Sequence, residues 1–169
     1  MISLTSFSGT GYKQYGRQFL EKAVKFWPTP LVVYYEVRPD FIHDKVTYRN
    51  LFGIKELVAF LGYIQDKPVC RGQLEEGYNY NFDAWKFCRK SFAQFDALKN
   101  YKGKVFWLDA DIEFKQPVAD GFLESLFDGK TLACLWREGF YTETGFIGFD
   151  TEGEKFQEFL TEYEDIYRK

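Results

Sequence analysis

The sequence predicts an α/β fold with a mostly parallel central sheet. Short apolar runs alternate with longer stretches in which apolar residues recur every three or four positions. Two of the runs, Leu31-Val32-Val33-Tyr34-Tyr35 and Val105-Phe106-Trp107-Leu108, are apolar throughout, the pattern of strands covered on both faces. The resulting order, β-α-β-(α)-α-β-α-β-β-α, is that of helices layered on a sheet.

The elements follow in order. Ile2 to Phe7 is a β-like run, and Ser8-Gly9-Thr10-Gly11 reads as a flexible loop after it. Tyr15, Phe19, Ala23 and Phe26 define a helix from Gln14 to Trp27, stopped by Pro28 and Pro30. Residues 31–35 form a strand, and residues 38–50 show no clear period. Ile54 to Ile64 carries a second helical stripe. Residues 66–79 contain Pro68, Gly72 and Gly77 and read as a loop. Asn81 or Asp83 caps a helix running to about Leu98, with Trp85, Cys88, Phe92, Phe95 and Leu98 on one face. Gly103 introduces the strand at 105–108, and Pro117 closes the loop beyond it. Phe122 to Phe127 reads as a short helix, and Thr131–Leu135 and Gly145–Phe149 as strands. Glu154 to Tyr167 reads as a docked amphipathic helix carrying Phe156, Phe159, Leu160 and Tyr163.

The chain has 169 residues, which fits one domain covering 1–169. A chain of this length buries about 70% of its unfolded surface and needs no disulfide or zinc to hold a core. Lys and Arg number 22 against 25 Asp and Glu, so the net charge is −3 and no basic excess awaits a nucleic acid. No apolar run is long enough to span a membrane, and MISLTSFSGT lacks the features of a signal peptide. Cys70, Cys88 and Cys134 are widely spaced and read as free thiols in a reducing, cytoplasmic setting. The single histidine, His43, lies in a polar stretch with no nucleophile motif nearby and reads as a loop residue. Aromatic residues make up 21% of the chain, enough for a thick core, a stacking site, or both.

The segment with chemical content is Val105-Phe106-Trp107-Leu108-Asp109-Ala110-Asp111. Two acids one residue apart follow directly on an apolar strand. In an extended chain they point to the same side. Ligands of open α/β sheets bind at the carboxyl ends of strands. Carboxylate oxygens suit Mg²⁺ or Mn²⁺, which commonly bridge one or two carboxylates to substrate phosphates. An Asp-x-Asp triplet alone often marks only a solvated turn. Here the two carboxylates repel each other beside Trp107 and Phe114, and a cation compensates that cost.

VFWLDAD resembles the Asp-x-Asp segment of GT-A glycosyltransferases. Tyr141-Thr142-Glu143-Thr144-Gly145-Phe146-Ile147-Gly148-Phe149 resembles the Glu-x-Gly-Phe strand that follows that segment in bacterial and phage members. Ala84 to Ala93, with Asp96-Ala97-Leu98 after it, resembles the helix preceding the Asp-x-Asp strand. With Leu4-Thr5-Ser6-Phe7, the resemblance covers most of the chain and implies a Rossmann-like GT-A sandwich of near-minimal size.

The resemblance implies a metal-dependent glycosyltransferase, a hexosyltransferase using a nucleotide-diphosphate sugar, with UDP as the nucleotide and the acceptor unidentified. It implies Asp111 as the main ligand of Mn²⁺ or Mg²⁺, with Asp109 reaching the ribose or donor sugar and sharing the metal. Thr5, Ser6 and Phe7 would lie near the nucleoside, Lys90 and Arg71 near the nucleotide charge, and Trp136 and Arg137 near the sugar or diphosphate. Ala110 sits between the two acids. Glu143 would face the reaction centre, as the base of an inverting enzyme or a stabiliser of the donor sugar in a retaining one. Phe7 or Tyr12 would supply an aromatic face for the nucleobase, with core packing as the alternative for both. Many GT-A enzymes complete the metal site with a later histidine. None follows Asp111 here, so the pair relies on phosphate oxygens and water, or on Asp150 or Glu138.

Two other classes compete. One is a non-catalytic nucleotide- or sugar-binding module. The other is a haloacid-dehalogenase-type phosphatase, which also uses Asp-x-Asp after a strand. Glu113, where that family has Thr or Val, and the motif's position far from the N-terminus count against it.

Overall fold

The computed structural model describes residues 1–119 and 121–168. Six strands form one sheet in the order β3-β2-β1-β6-β8-β7. They are β1 (Ile2–Phe7), β2 (Leu31–Tyr35), β3 (Val46–Asn50), β6 (Lys104–Leu108), β7 (Leu132–Leu135) and β8 (Glu143–Asp150). The pairs β1–β2, β2–β3 and β1–β6 are parallel, whereas β6–β8 and β7–β8 are antiparallel. A separate two-stranded hairpin pairs β4 (Gln73–Leu74) with β5 (Gly77–Tyr78).

The sheet is covered on both faces, and the strand alternation assigns each side chain to its layer. Leu31, Val33, Phe106 and Leu108 pack with Phe19, Leu20 and Ala23 of α2 (Arg17–Phe26) and with Leu123 of the short α5 (Phe122–Ser125). Val32, Tyr34, Val105 and Trp107 face the other way. They meet α3 (Lys55–Ile64), α4 (Ala84–Asn100) and α6 (Phe156–Asp165). Burying each such aromatic or aliphatic side chain contributes about 1.5–3 kcal/mol.

Three local expectations change. Ser8–Gly11 is not a loop: Gly9–Gly11 forms a helical turn, α1, and Ser8 Oγ accepts from the Gly11 N–H at 3.0 Å. A π-turn at Tyr12–Gly16 then leads into α2. Residues 38–50 end in β3, an edge strand whose polar Thr47, Arg49 and Asn50 hide any apolar alternation. Arg49 Nη1 and the Tyr34 hydroxyl both donate to Asp96 Oδ2, at 2.9 and 2.6 Å, tying that edge to α4. The 66–79 stretch holds the β4–β5 hairpin and a 3-10 turn at Pro68–Arg71.

Gly148 in β8 is pinned between two buried rings. A Cβ there would lie 2.9 Å from both Phe106 Cε1 and Phe127 Cζ. We expect Gly148→Ala to destabilise the chain by about 1–3 kcal/mol, read as a lower urea midpoint with unchanged slope. An unchanged midpoint would show that the rings yield freely.

All three cysteines are free, with Cys134 exposed and Cys88 buried. Burial pushes the Cys88 thiol up to about 11. Its contribution to stability is therefore complete below the ordinary thiol pKa and lost as pH rises through about 11. A thiol reagent at pH 8 is expected to modify Cys134 at once and Cys88 only on unfolding. Equal labelling rates would contradict the packing.

Candidate active site

β1 and β6 are sheet neighbours; α2, which follows β1, and α4, which precedes β6, cover opposite faces, and a crevice opens at the carboxyl ends of the two strands. The crevice has a volume of about 570 Å³. Ser6, Phe7 and Ser8 reach it from the end of β1, and Asp109, Ala110 and Asp111 from the segment directly after β6. Trp85, Lys86, Arg89 and Lys90 come from α4, and Glu143 and Thr144 from β8.

β6 ends at Leu108, and Asp109, Ala110 and Asp111 do not continue it. The Ile112 N–H donates to the Asp109 carbonyl at 3.1 Å, closing a tight turn. The two acids share the crevice because of that turn and not because of extended alternation. Asp109 is fixed from three sides. Its Oδ1 accepts from Lys90 Nζ at 2.9 Å and from Trp107 Nε1 at 2.5 Å. Its backbone N–H donates to the Gly145 carbonyl at 2.7 Å. Asp111 is exposed and has no side-chain partner among the described residues.

β8 bends into the site. Opposite β7, Cys134 pairs with Ile147 but Leu135 pairs with Glu143, so Thr144, Gly145 and Phe146 break the ladder. Such irregularities re-aim side chains. Here the break lets the Thr144 carbonyl accept from Lys90 Nζ at 2.6 Å. Glu143 Oε1 accepts from the Gly145 N–H at 2.9 Å, and Arg137 pairs with its other oxygen. A Cβ on Gly145 would sit 3.1 Å from Glu143 Oε1 and 3.4 Å from Asp109 Oδ2, so the two carboxylates converge on the space above that glycine. A side chain at that position would push the Glu143 carboxylate aside.

The charges are arranged by pairs. Lys86, Arg89 and Lys90 lie at i, i+3 and i+4 along one wall of α4. Facing them are Glu36, Asp109, Asp111 and Glu143. Arg89 pairs with Glu36 and Lys90 with Asp109. The Glu143 charge is met by Arg137 from beside the crevice. Asp111 is left as the uncompensated carboxylate. Among the described residues, no group of three or more His, Cys, Asp or Glu side chains is placed to hold a metal. Asp150 cannot complete such a group, since it pairs with Lys104 at the far end of β6 from Asp109. The donors available to a cation are Asp111 and the free Oδ2 of Asp109, a set that fits Mg²⁺ or Mn²⁺ carrying phosphate and water as its other ligands.

The sequence-derived candidates divide. Ser6, Phe7, Lys90, Asp109, Ala110, Asp111 and Glu143 line the crevice. Thr5 is fully buried in β1, and its Oγ1 has no hydrogen-bond partner. Arg71 stacks on the Trp85 ring at 4.1 Å, behind the lining residue. Trp136 and Arg137 belong to the β7–β8 connection and stand outside the crevice, Trp136 with 77% of its surface exposed. Glu138 lies in the same connection. Phe7 is buried, and Tyr12 packs on it at 5.4 Å.

Sequence reasoning missed Tyr15, Glu36, Trp85, Lys86 and Arg89. Tyr15 was expected to join the apolar stripe of its helix. The π-turn adds a residue to that turn, and Tyr15 lines the crevice instead. Burial, and then the Asp111 and Asp109 carboxylates, hold its phenol above the ordinary value. A Cβ on Gly11 would meet the Tyr15 hydroxyl at 2.6 Å, so glycine keeps that path open. The basic face of α4 was visible in principle, as three cations opposite the apolar stripe.

A second cavity, of about 680 Å³, lies between α3, α4 and α6. Phe60, Phe92, Phe95 and Tyr167 dominate its lining, and it contains neither aspartate of the Asp-x-Asp turn.

No family profile matches the chain, and no curated protein does. Among solved structures, mouse xyloside xylosyltransferase 1 in its apo form aligns with a TM-score of 0.53 at 9% identity. The alignment covers 99% of this chain and 76% of that one. The two proteins thus share a fold, a Rossmann-like six-stranded, mostly parallel sheet flanked by helices.

Proposed function

We propose that the chain is a metal-dependent glycosyltransferase that takes a sugar from a nucleotide-diphosphate donor, UDP being the nucleotide. The observation that carries this reading is the crevice itself. Its unpaired Asp111 faces a wall of Lys86, Arg89 and Lys90, at the strand-end position where α/β sheets bind nucleotides. The fold shared with a xylosyltransferase supports it.

Asp111 and the free oxygen of Asp109 would hold Mn²⁺ or Mg²⁺, which when bound stabilises the charge on the departing diphosphate as a Lewis acid. The three cations of α4 add charge-assisted hydrogen bonds to the diphosphate oxygens. Arg89, Lys90 and Arg137 are already paired with Glu36, Asp109 and Glu143, so a divalent cation on Asp111 would supply the further positive charge that a diphosphate needs. Ser6, Phe7 and Ser8 border the nucleoside. Glu143, held by the Gly145 N–H and by Arg137, presents a fixed carboxylate beside Asp109. In that position it takes the proton of an acceptor hydroxyl, or steadies positive charge on the donor sugar.

The test is a melting-temperature panel of nucleotides and nucleotide sugars with and without Mn²⁺. At a ligand concentration 100 times Kd, binding adds about 2.7 kcal/mol, a rise of roughly 5–10 °C for a chain of this size. A rise that needs both UDP and manganese is the expected result. A flat response across the whole panel refutes the reading.

A further inference from the structure

We propose that the β7–β8 connection is an aromatic platform for a neutral carbohydrate acceptor, an inference that rests on the glycosyltransferase reading and names its acceptor class. The connection spans residues 136–142, between the end of β7 at Leu135 and the start of β8 at Glu143. The Phe140 N–H donates to the Arg137 carbonyl at 3.2 Å, and Gly139 takes the left-handed conformation this turn requires, with φ of 74°. The turn leaves Trp136 and Tyr141 on its two flanks. Trp136, Phe140 and Tyr141 expose 77%, 74% and 98% of their surface, and Leu135 beside them is also exposed. Large rings so fully presented to water are costly unless something covers them.

Three observations choose the occupant. The first is continuity with the crevice: Leu135 pairs directly with Glu143, and Arg137 of the turn pairs with the Glu143 carboxylate. Whatever lies on the platform therefore has an end beside Glu143 and the Asp109 carboxylate. The second is charge. The connection carries one arginine and one glutamate, and the arginine is already paired. It offers no cationic cluster to an anionic headgroup or a phosphorylated chain, so the partner is uncharged. The third is the shape of the chemistry. Flat aromatic faces cover the C–H face of a pyranose ring, and the hydroxyl groups at the ring edge stay in water or meet Arg137. This moves Trp136 from the donor to the acceptor.

The experiment is saturation-transfer NMR on the full chain with a panel of free saccharides (lactose, maltose, cellobiose and the methyl glycosides of glucose, galactose and xylose), in parallel with the manganese–UDP melting panel on the same protein. At least one saccharide is expected to show transfer to the C–H protons of one ring face. Trp136→Ala and Tyr141→Ala are each expected to weaken that signal at least fivefold, while Tyr63→Ala, an exposed ring on α3, leaves it unchanged. No transfer to any saccharide overturns the inference, even where UDP and manganese bind. Partition of the wild type onto neutral phosphatidylcholine vesicles, abolished by the same two variants and without saccharide transfer, overturns it in favour of a lipid surface. Saccharide transfer without a nucleotide response refutes the donor reading and leaves the platform standing.

Discussion

Replacing Asp111 with Ala is expected to reduce sugar transfer by at least about 100-fold, close to 2.7 kcal/mol of transition-state stabilisation. The same change should abolish the manganese-dependent rise in melting temperature caused by UDP. Stability without ligand should barely move, because Asp111 is exposed and its side chain makes no hydrogen bond or ion pair among the described residues. That separation makes the variant informative. Asp109 is a poorer choice, since it is bonded to Lys90 and Trp107 and its loss would disturb both. Transfer rates and nucleotide melting curves on the purified variant decide the matter. Wild-type turnover in Asp111→Ala would remove the metal from the mechanism and take the proposed donor site with it.

The second large effect is expected at Lys90. Its ammonium lies 2.9 Å from Asp109 Oδ1 and 2.6 Å from the Thr144 carbonyl, and 5.4 Å from the centre of the Trp107 ring. One side chain thus joins α4 to the ends of β6 and β8. Lys90→Met keeps the apolar stem and removes the charge. It leaves the Asp109 carboxylate, only partly exposed, with Trp107 as its remaining donor, and it frees the irregular turn of β8. The expected cost is about 1–3 kcal/mol, a fall of several degrees in melting temperature, together with a loss of transfer beyond what that destabilisation explains. Lys90→Arg should not restore activity, because a planar guanidinium cannot take the place of a compact ammonium between these oxygens. A double-mutant cycle with Asp109→Asn measures the coupling. Additive effects would show that the contact carries no energy.

The sheet was legible where packing alone writes the sequence. β2 and β6 read as apolar runs because both faces are covered, and α4 shows its stripe because one face meets the sheet. β3 was not legible, because an edge strand that places Arg49 on Asp96 follows local bonding more than burial. The Asp-x-Asp pair stood out as two acids directly after a buried strand, and Glu143 through the resemblance of residues 141–149 to a Glu-x-Gly-Phe strand. The reason given for the pair was incomplete, since a turn and not an extended strand brings Asp111 round. Tyr15 and Arg89 were hidden because helical periodicity says which side chains leave the core but not which of them enter a crevice.

The sequence by itself determined the layers: which runs are buried on two faces, which stretches are helices, and that two acids follow the buried strand at 105–108. Those features are local, and hydrophobic periodicity records them directly. The tertiary structure decided which charges meet. Lys90 finds Asp109, Arg89 finds Glu36, Arg137 finds Glu143, and Asp111 stays open to a ligand. These partners come from different elements, and the π-turn and the irregular β8 that aim Tyr15 and Glu143 arise from packing between elements. The interactions fall off over a few ångströms, so only the folded arrangement settles which carboxylate is left without a cation.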